Sequence, residues 1–156
     1  MVLAVIGAAV PGAATTIVPA ADPGELAMDS GAVFLARAGE SRVVKRPNFL
    51  STVTDFEVLR VIKGDTAVGG VVQVSAPGGM LDGVGWAVAG SPRFTEGEVY
   101  LLFSDRGPDA SFRPRLMAES VLRRVIGEDG VPRFVALEEA APVSYTHLTL
   151  PTTWSR

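Results

Sequence analysis

His147 is the only histidine in this 156-residue chain, and cysteine does not occur. These two facts bound the available chemistry before any fold is considered. A Ser-His-Asp arrangement needs an imidazole to take the serine proton, so Ser91 and Ser104-Asp105 have no base other than His147. Without cysteine there are no disulfides, thiolate metal sites or thiol nucleophiles. Carboxylates remain, at Asp55/Glu57 and Glu138/Glu139. Glycoside hydrolysis by paired carboxylates requires two groups facing each other across a cleft at a set separation. Residues i and i+2 share one face of a strand, which on the outside of a sheet is ordinarily a solvated face. Adjacent glutamates at a strand end carry no such geometry either.

The glycine-rich stretch "APGGMLDGVGWAVAGSP" invites comparison with nucleotide loops and fails it. A phosphate-cradling loop needs a terminal Gly-Lys-Ser/Thr so that the lysine and hydroxyl reach phosphate and magnesium. Gly83-Val84-Gly85 lacks a correctly placed third glycine, and no helix follows to receive a pyrophosphate. A long hairpin or crossover loop is expected, with glycines where φ is positive. Met80, Leu81 and Trp86 at its tip form a candidate contact patch, tryptophan being common at binding hot spots; Met80 and Trp86 are the binding candidates. The competing expectation is that Trp86, at the start of the strand-like "WAVAG", plugs a barrel mouth. Arg93 is expected to lay its stem over the barrel end and pair with Glu96 or Glu98. No cofactor and no metal site are expected.

The elements that would position these residues are mostly strands. "DPGELAMDSG" carries a helix start, with Asp22 as N-cap, Pro23 in the first turn and Glu25 near the positive end of the helix dipole; Gly31 stops it. "AVFLARA" (Ala32–Ala38) reads as a strand that "SRVV" continues after a kink at Gly39-Glu40. "STVTDFEVLRVIKGD" is the clearest strand, with Phe56, Val58 and Ile62 on one face and Asp55 and Glu57 on the other. "GVVQVSAP" and "EVYLLF" follow as strands, and "RLMAESVLRRVIGEDGVPRFVAL" reads as one or two strands and a hairpin tipped by "GEDG". Short turn-separated strands with one small helix predict a closed antiparallel barrel or a small sandwich. Closure would also remove the exposed edges of such valine-rich strands.

Composition narrows the partners. Fourteen basic and 17 acidic residues leave a formal charge of −3, which offers no electrostatic reason to expect nucleic acid or an anionic membrane. "MVLAVIGAAVPGAATTIVP" is an uncharged, alanine-rich apolar run shorter than the ~20 residues of a membrane-spanning helix. It reads as a secretory signal over residues 1–14, with a small-x-small cleavage site such as Gly12-Ala13-Ala14. No lysine or arginine opens it, so the alternatives are a start further upstream or a buried N-terminal strand, for which "TTIVP" is suited. Export predicts a secreted or periplasmic protein with no stable membrane insertion after signal removal.

The closing stretch "VSYTHLTLPTTWSR" continues no pattern from what precedes it. It resembles the translation, in one frame, of the transposase-adapter sequence used in preparing sequencing libraries. The codons GTC-TCT-TAT-ACA-CAT-CTG-ACG-CTG-CCG-ACG give Val143 to Thr152 without a mismatch, and that frame requires Ser, Pro, Thr or Ala before them, as Pro142 provides. Residues 143–156, His147 included, are therefore expected to be artefact, and the natural protein to continue beyond Pro142.

"VFLARAGESRVV", "TVTDFEVLRVIKGD", "VVQVSAPGG" and "FTEGEVYLLF", in that order, resemble uncharacterised exported bacterial domains that are distantly similar to the netrin-type module, the barrel also seen in tissue inhibitors of metalloproteinases. The resemblance implies an OB-like barrel with a small helix. It does not carry protease inhibition with it, because those inhibitors engage catalytic zinc through an N-terminal cysteine and this chain has none. The expectation is an all-β fold, a small antiparallel OB-like barrel of five to seven strands over residues 15–142 with one short N-terminal helix. Its expected function is that of a non-catalytic exported module binding an unknown protein or cell-envelope component. The alternative is an N-terminal accessory or pro-domain of a truncated secreted enzyme such as a peptidase.

Overall fold

Asp22 opens the first element of the computed structural model, which describes residues 22–137. The expected signal segment, the "TTIVP" strand, Glu138/Glu139 and the stretch from Val143 to Arg156 with His147 lie outside the described residues. The Asp22 carboxylate accepts from the Glu25 N–H at 3.2 Å, capping α1 (Pro23–Asp29). Seven residues make a helix too short to persist alone. Two tertiary contacts hold it. Leu26 packs with Val33, Leu101, Phe103, Leu122 and Phe134. Lys63 Nζ donates to the Ala27 and Met28 carbonyls at 3.1 and 2.9 Å, a cation placed on the negative end of the helix.

The strands β1 (Ala32–Lys45) and β2 (Leu50–Lys63) form a long hairpin. The expected kink is a β-bulge: pairing steps from Ala38↔Phe56 to Ser41↔Thr54, so Gly39 and Glu40 oppose Asp55 alone. A Cβ on Gly39 would lie 3.1 Å from the Asp55 carbonyl oxygen, which explains the glycine. A second bulge corrects the expected face of β2. Leu35 pairs with Arg60 and Ala36 with Val58, leaving Leu59 as an extra residue. One inserted residue moves the following side chains to the opposite face. Phe56 and Val58 are fully buried, but beyond Leu59 it is Val61 that packs on the interior, while Ile62 is 39 % exposed.

The sheet then closes on itself in part. β3 (Val71–Pro77) pairs with β2, β6 (Val99–Arg106) pairs with β1, and β7 (Phe112–Pro114) bridges β6 to β3. The ring runs β1-β2-β3-β7-β6 and back to β1. It is mixed rather than wholly antiparallel, as β3 and β7 meet in parallel at Val74↔Phe112. The reason is parity: strands alternating in direction around a ring of odd number must leave one neighbouring pair pointing the same way. β8 (Val121–Ile126) and β9 (Pro132–Ala136) extend the seven-stranded sheet from β6, joined by the expected Gly127–Gly130 turn. The residues before β8, expected as strand, form a 3-10 turn (Met117–Ser120), where Ser120 Oγ accepts from the Leu116 N–H and donates to the Met117 carbonyl.

Inward-facing Phe34, Phe56, Val58, Val74, Tyr100, Leu102 and Phe112 fill the ring. Phe94 lies over Phe56 and Tyr100, edge-on at 4.9 and 5.1 Å, and the Tyr100 hydroxyl accepts from the Thr95 N–H at 2.8 Å. The protein is thus all-β with a short N-terminal helix. Among the described residues no helix is long and apolar enough to cross a membrane.

Candidate binding groove

The glycine-rich segment folds into a second, two-stranded sheet, β4 (Gly79–Leu81) and β5 (Val84–Trp86). Asp82 and Gly83 turn it with φ of 51° and 78°, the pair of positive φ values that a type I′ turn requires and that favour Asp-Gly. What lays this hairpin down on the barrel is Gly79. A Cβ there would fall 2.9 Å from both Val43 methyls and 3.0 Å from Thr52 Oγ1, and its φ is 146°. Around it, the Gly78 N–H donates to the Leu50 carbonyl, Thr52 Oγ1 to the Gly78 carbonyl and Ser91 Oγ to the Pro77 carbonyl, at 2.7, 2.8 and 2.6 Å.

Between the hairpin and the β1–β2 turn runs a groove of about 400 Å³. Lys45, Arg46, Pro47, Asn48, Phe49 and Leu50 line one side; Leu81, Asp82, Val84, Gly85 and Trp86 line the other. Trp86 and Phe49 meet edge-on with ring centroids 6.5 Å apart, and they remain 45 % and 41 % exposed. The expectation that Trp86 plugs the barrel mouth is therefore corrected. Phe94 packs over Phe56 and Tyr100 instead, while Trp86, opposite Gly79 in the hairpin, sets its ring on Phe49.

The predicted binding pair is divided by the hairpin. Side chains alternate along a strand, so Leu81, Val84 and Trp86 share the groove face. Met80 lies on the other face, 70 % exposed, with its methyl 3.6 Å from where a Gly85 Cβ would be. Phe49 and Lys45 were not among the sequence candidates. An aromatic residue directly after Pro47-Asn48, in a turn, was the available signal.

Electrostatics at the groove are largely internal. Arg46 pairs with Asp109 at 3.0 Å, tying the β1–β2 turn to the β6–β7 turn. Asp109 also accepts from Ser111 Oγ at 2.7 Å and from the Ser111 N–H at 3.3 Å. The Ser111 hydroxyl, then its N–H and the nearby Arg113, hold the Asp109 carboxyl below the usual aspartate value.

Elsewhere the reactive residue types are occupied or isolated. Asp55 pairs with Arg42 at 3.2 Å, and Glu57 lies exposed opposite Arg37. Asp105 accepts from the Gly31 N–H and from Arg115, at 2.8 and 2.9 Å. Ser104 is fully buried, without a hydrogen-bond partner for its hydroxyl among the described residues. Glu98 pairs with Arg123 at 3.3 Å rather than with Arg93, which makes no ion pair among the described residues. None of the His, Cys, Asp and Glu side chains there form a group of three able to hold a metal ion. Comparison with protein-family models, with curated proteins and with solved structures gives no match for this chain.

Proposed function

We propose that this protein is a non-catalytic, exported binding module, secreted or periplasmic, whose OB-like barrel presents the Phe49–Trp86 groove to a protein or cell-envelope component. The observation carrying the reading is the aromatic pair itself. Two large rings stay more than two-fifths exposed at a groove, where burial of what remains exposed would contribute about 1 kcal/mol each to an association. A strand ring in which β1 pairs on both sides and two strands meet in parallel supports the OB-like description. In such barrels the loops at one end commonly bind, an argument from fold analogy. Export rests on the apolar run of residues 1–14.

The test is capture from cell-envelope extract by the immobilised protein, compared with Phe49→Ala and Trp86→Ala. Both variants should fold normally and lose the captured component. Equal capture by all three would remove the groove from consideration.

A further inference from the structure

We propose that the groove's occupant is an extended peptide segment that adds as a strand to the free edge of β5, seating one apolar side chain against the exposed sides of Trp86 and Phe49. This deepens the binding reading above and rests on it.

The edge comes first. Among the described residues β5 pairs with β4 alone, and all three of its residues are exposed. The two-residue Asp82-Gly83 turn makes Leu81↔Val84 and Gly79↔Trp86 the hydrogen-bonded pairs of the hairpin. Gly85, opposite Met80, then directs its N–H and C=O away from β4, and it has no side chain to hold an incoming backbone off. Exposed edges are ordinarily blunted by lysine, proline or a bulge. Among the described residues β9 is the edge of the larger sheet, and it begins with Pro132 and Arg133; "VGW" of β5 carries no such protection.

The groove supplies what a three-residue ladder cannot. A strand of that length spans roughly 10 Å, enough to register a peptide but too little to retain it. Val84, Trp86, Leu50 and Phe49 form the apolar wall beside that edge, and about 400 Å³ accommodates a few side chains.

Charge narrows the peptide further. Arg46 is neutralised by Asp109, while Lys45 and Asp82, also lining the groove, have no ion-pair partner among the described residues. One free cation with one free carboxylate suits a peptide carrying an acidic residue toward Lys45, not a polyanion.

The probe is a phage-displayed library of random octapeptides selected on the purified full chain. Selected peptides should alternate apolar and polar residues with an acidic position. A synthetic copy should bind Trp86→Ala at least about tenfold more weakly. Backbone N-methylation of that copy should abolish binding at the one position whose N–H meets the Gly85 carbonyl and leave it nearly unchanged at the two adjacent positions, as strand addition at Gly85 demands. Gly85→Pro, which removes the outward N–H, should weaken binding as well; the methylation series keeps the test intact should that variant misfold. Methylation effects of equal size at neighbouring positions would overturn the strand geometry. Failure to select any Trp86-dependent peptide, while envelope capture still depends on Trp86, would overturn the peptide occupant and leave the binding reading standing. Trp86-dependent retention of an envelope polysaccharide would do the same. Loss of both readouts would overturn both proposals.

Discussion

The Arg46 guanidinium lies 3.0 Å from the Asp109 carboxylate, and through it the turn bearing Phe49 is fastened to the β6–β7 turn. Both side chains are about seven-tenths buried, at 30 % and 31 % exposure. The pair thus sits between a surface ion pair and a buried one, and a double-mutant cycle of Arg46→Ala and Asp109→Ala should give a coupling of about 0.5–1 kcal/mol. Urea unfolding of the four proteins measures it; additive losses would mean the two turns are held independently.

Asp109 also gives stability a pH dependence. Its folded-state pKa is lowered, chiefly by the Ser111 hydroxyl. The unfolded state therefore binds the proton more readily, and the contribution is complete above the ordinary aspartate pKa. It is lost as pH falls through the lower folded-state value. Asp109→Asn should flatten the acid limb of a stability–pH curve, and Ser111→Ala should shift that limb toward higher pH. Superimposable curves for wild type and Asp109→Asn would contradict the assignment.

Gly79→Ala is the substitution that should lift the hairpin. Its Cβ would enter the space of the Val43 methyls, at a φ that other residues rarely adopt. The expected cost is about 1–3 kcal/mol of stability, with Trp86 fluorescence shifted to the red as the ring leaves Phe49. The chain has two tryptophans, so the measurement belongs in a Trp154→Phe background. Unaltered emission with unaltered stability would show that the hairpin does not depend on this contact.

The Leu59 bulge makes an unequal pair of its neighbours. Val61→Asp places a carboxylate against the barrel interior and should cost more than about 2 kcal/mol. Ile62→Asp, on the exposed side, should cost less than about 1 kcal/mol. Strict alternation from Phe56 and Val58 predicts the reverse order, so thermal denaturation of the two variants decides between the registers.

For residues 143–156 the prediction concerns the gene. If the resemblance of this stretch to a library adapter reflects its origin, re-amplifying the locus from source DNA and sequencing across the codons for Ala141 to Arg156 should give different codons after Pro142. A genomic match to "VSYTHLTLPTTWSR" would make His147 a natural residue.

Several features were legible in the sequence because the interactions behind them span a few residues. Asp22 caps α1 three residues ahead of its partner. The kink at Gly39-Glu40, the Gly127–Gly130 turn and the hydrophobic runs of β2, β3 and β6 likewise follow from local conformational preference and from the twofold alternation of side chains. Features that depend on which strand lies opposite were decided only by the tertiary structure. Leu59 becomes a bulge because β1 offers one residue fewer than β2 there, and no periodicity within β2 records that. The parallel meeting of β3 and β7 follows from the number of strands in the ring. Phe94 rather than Trp86 packs on the interior, because Gly79 approaches Val43 closely enough to lay the hairpin over the β1–β2 turn, where Trp86 meets Phe49. The groove belongs with these. Phe49 and Trp86 come from distant segments, and their adjacency depends on a glycine contact that neither segment encodes alone.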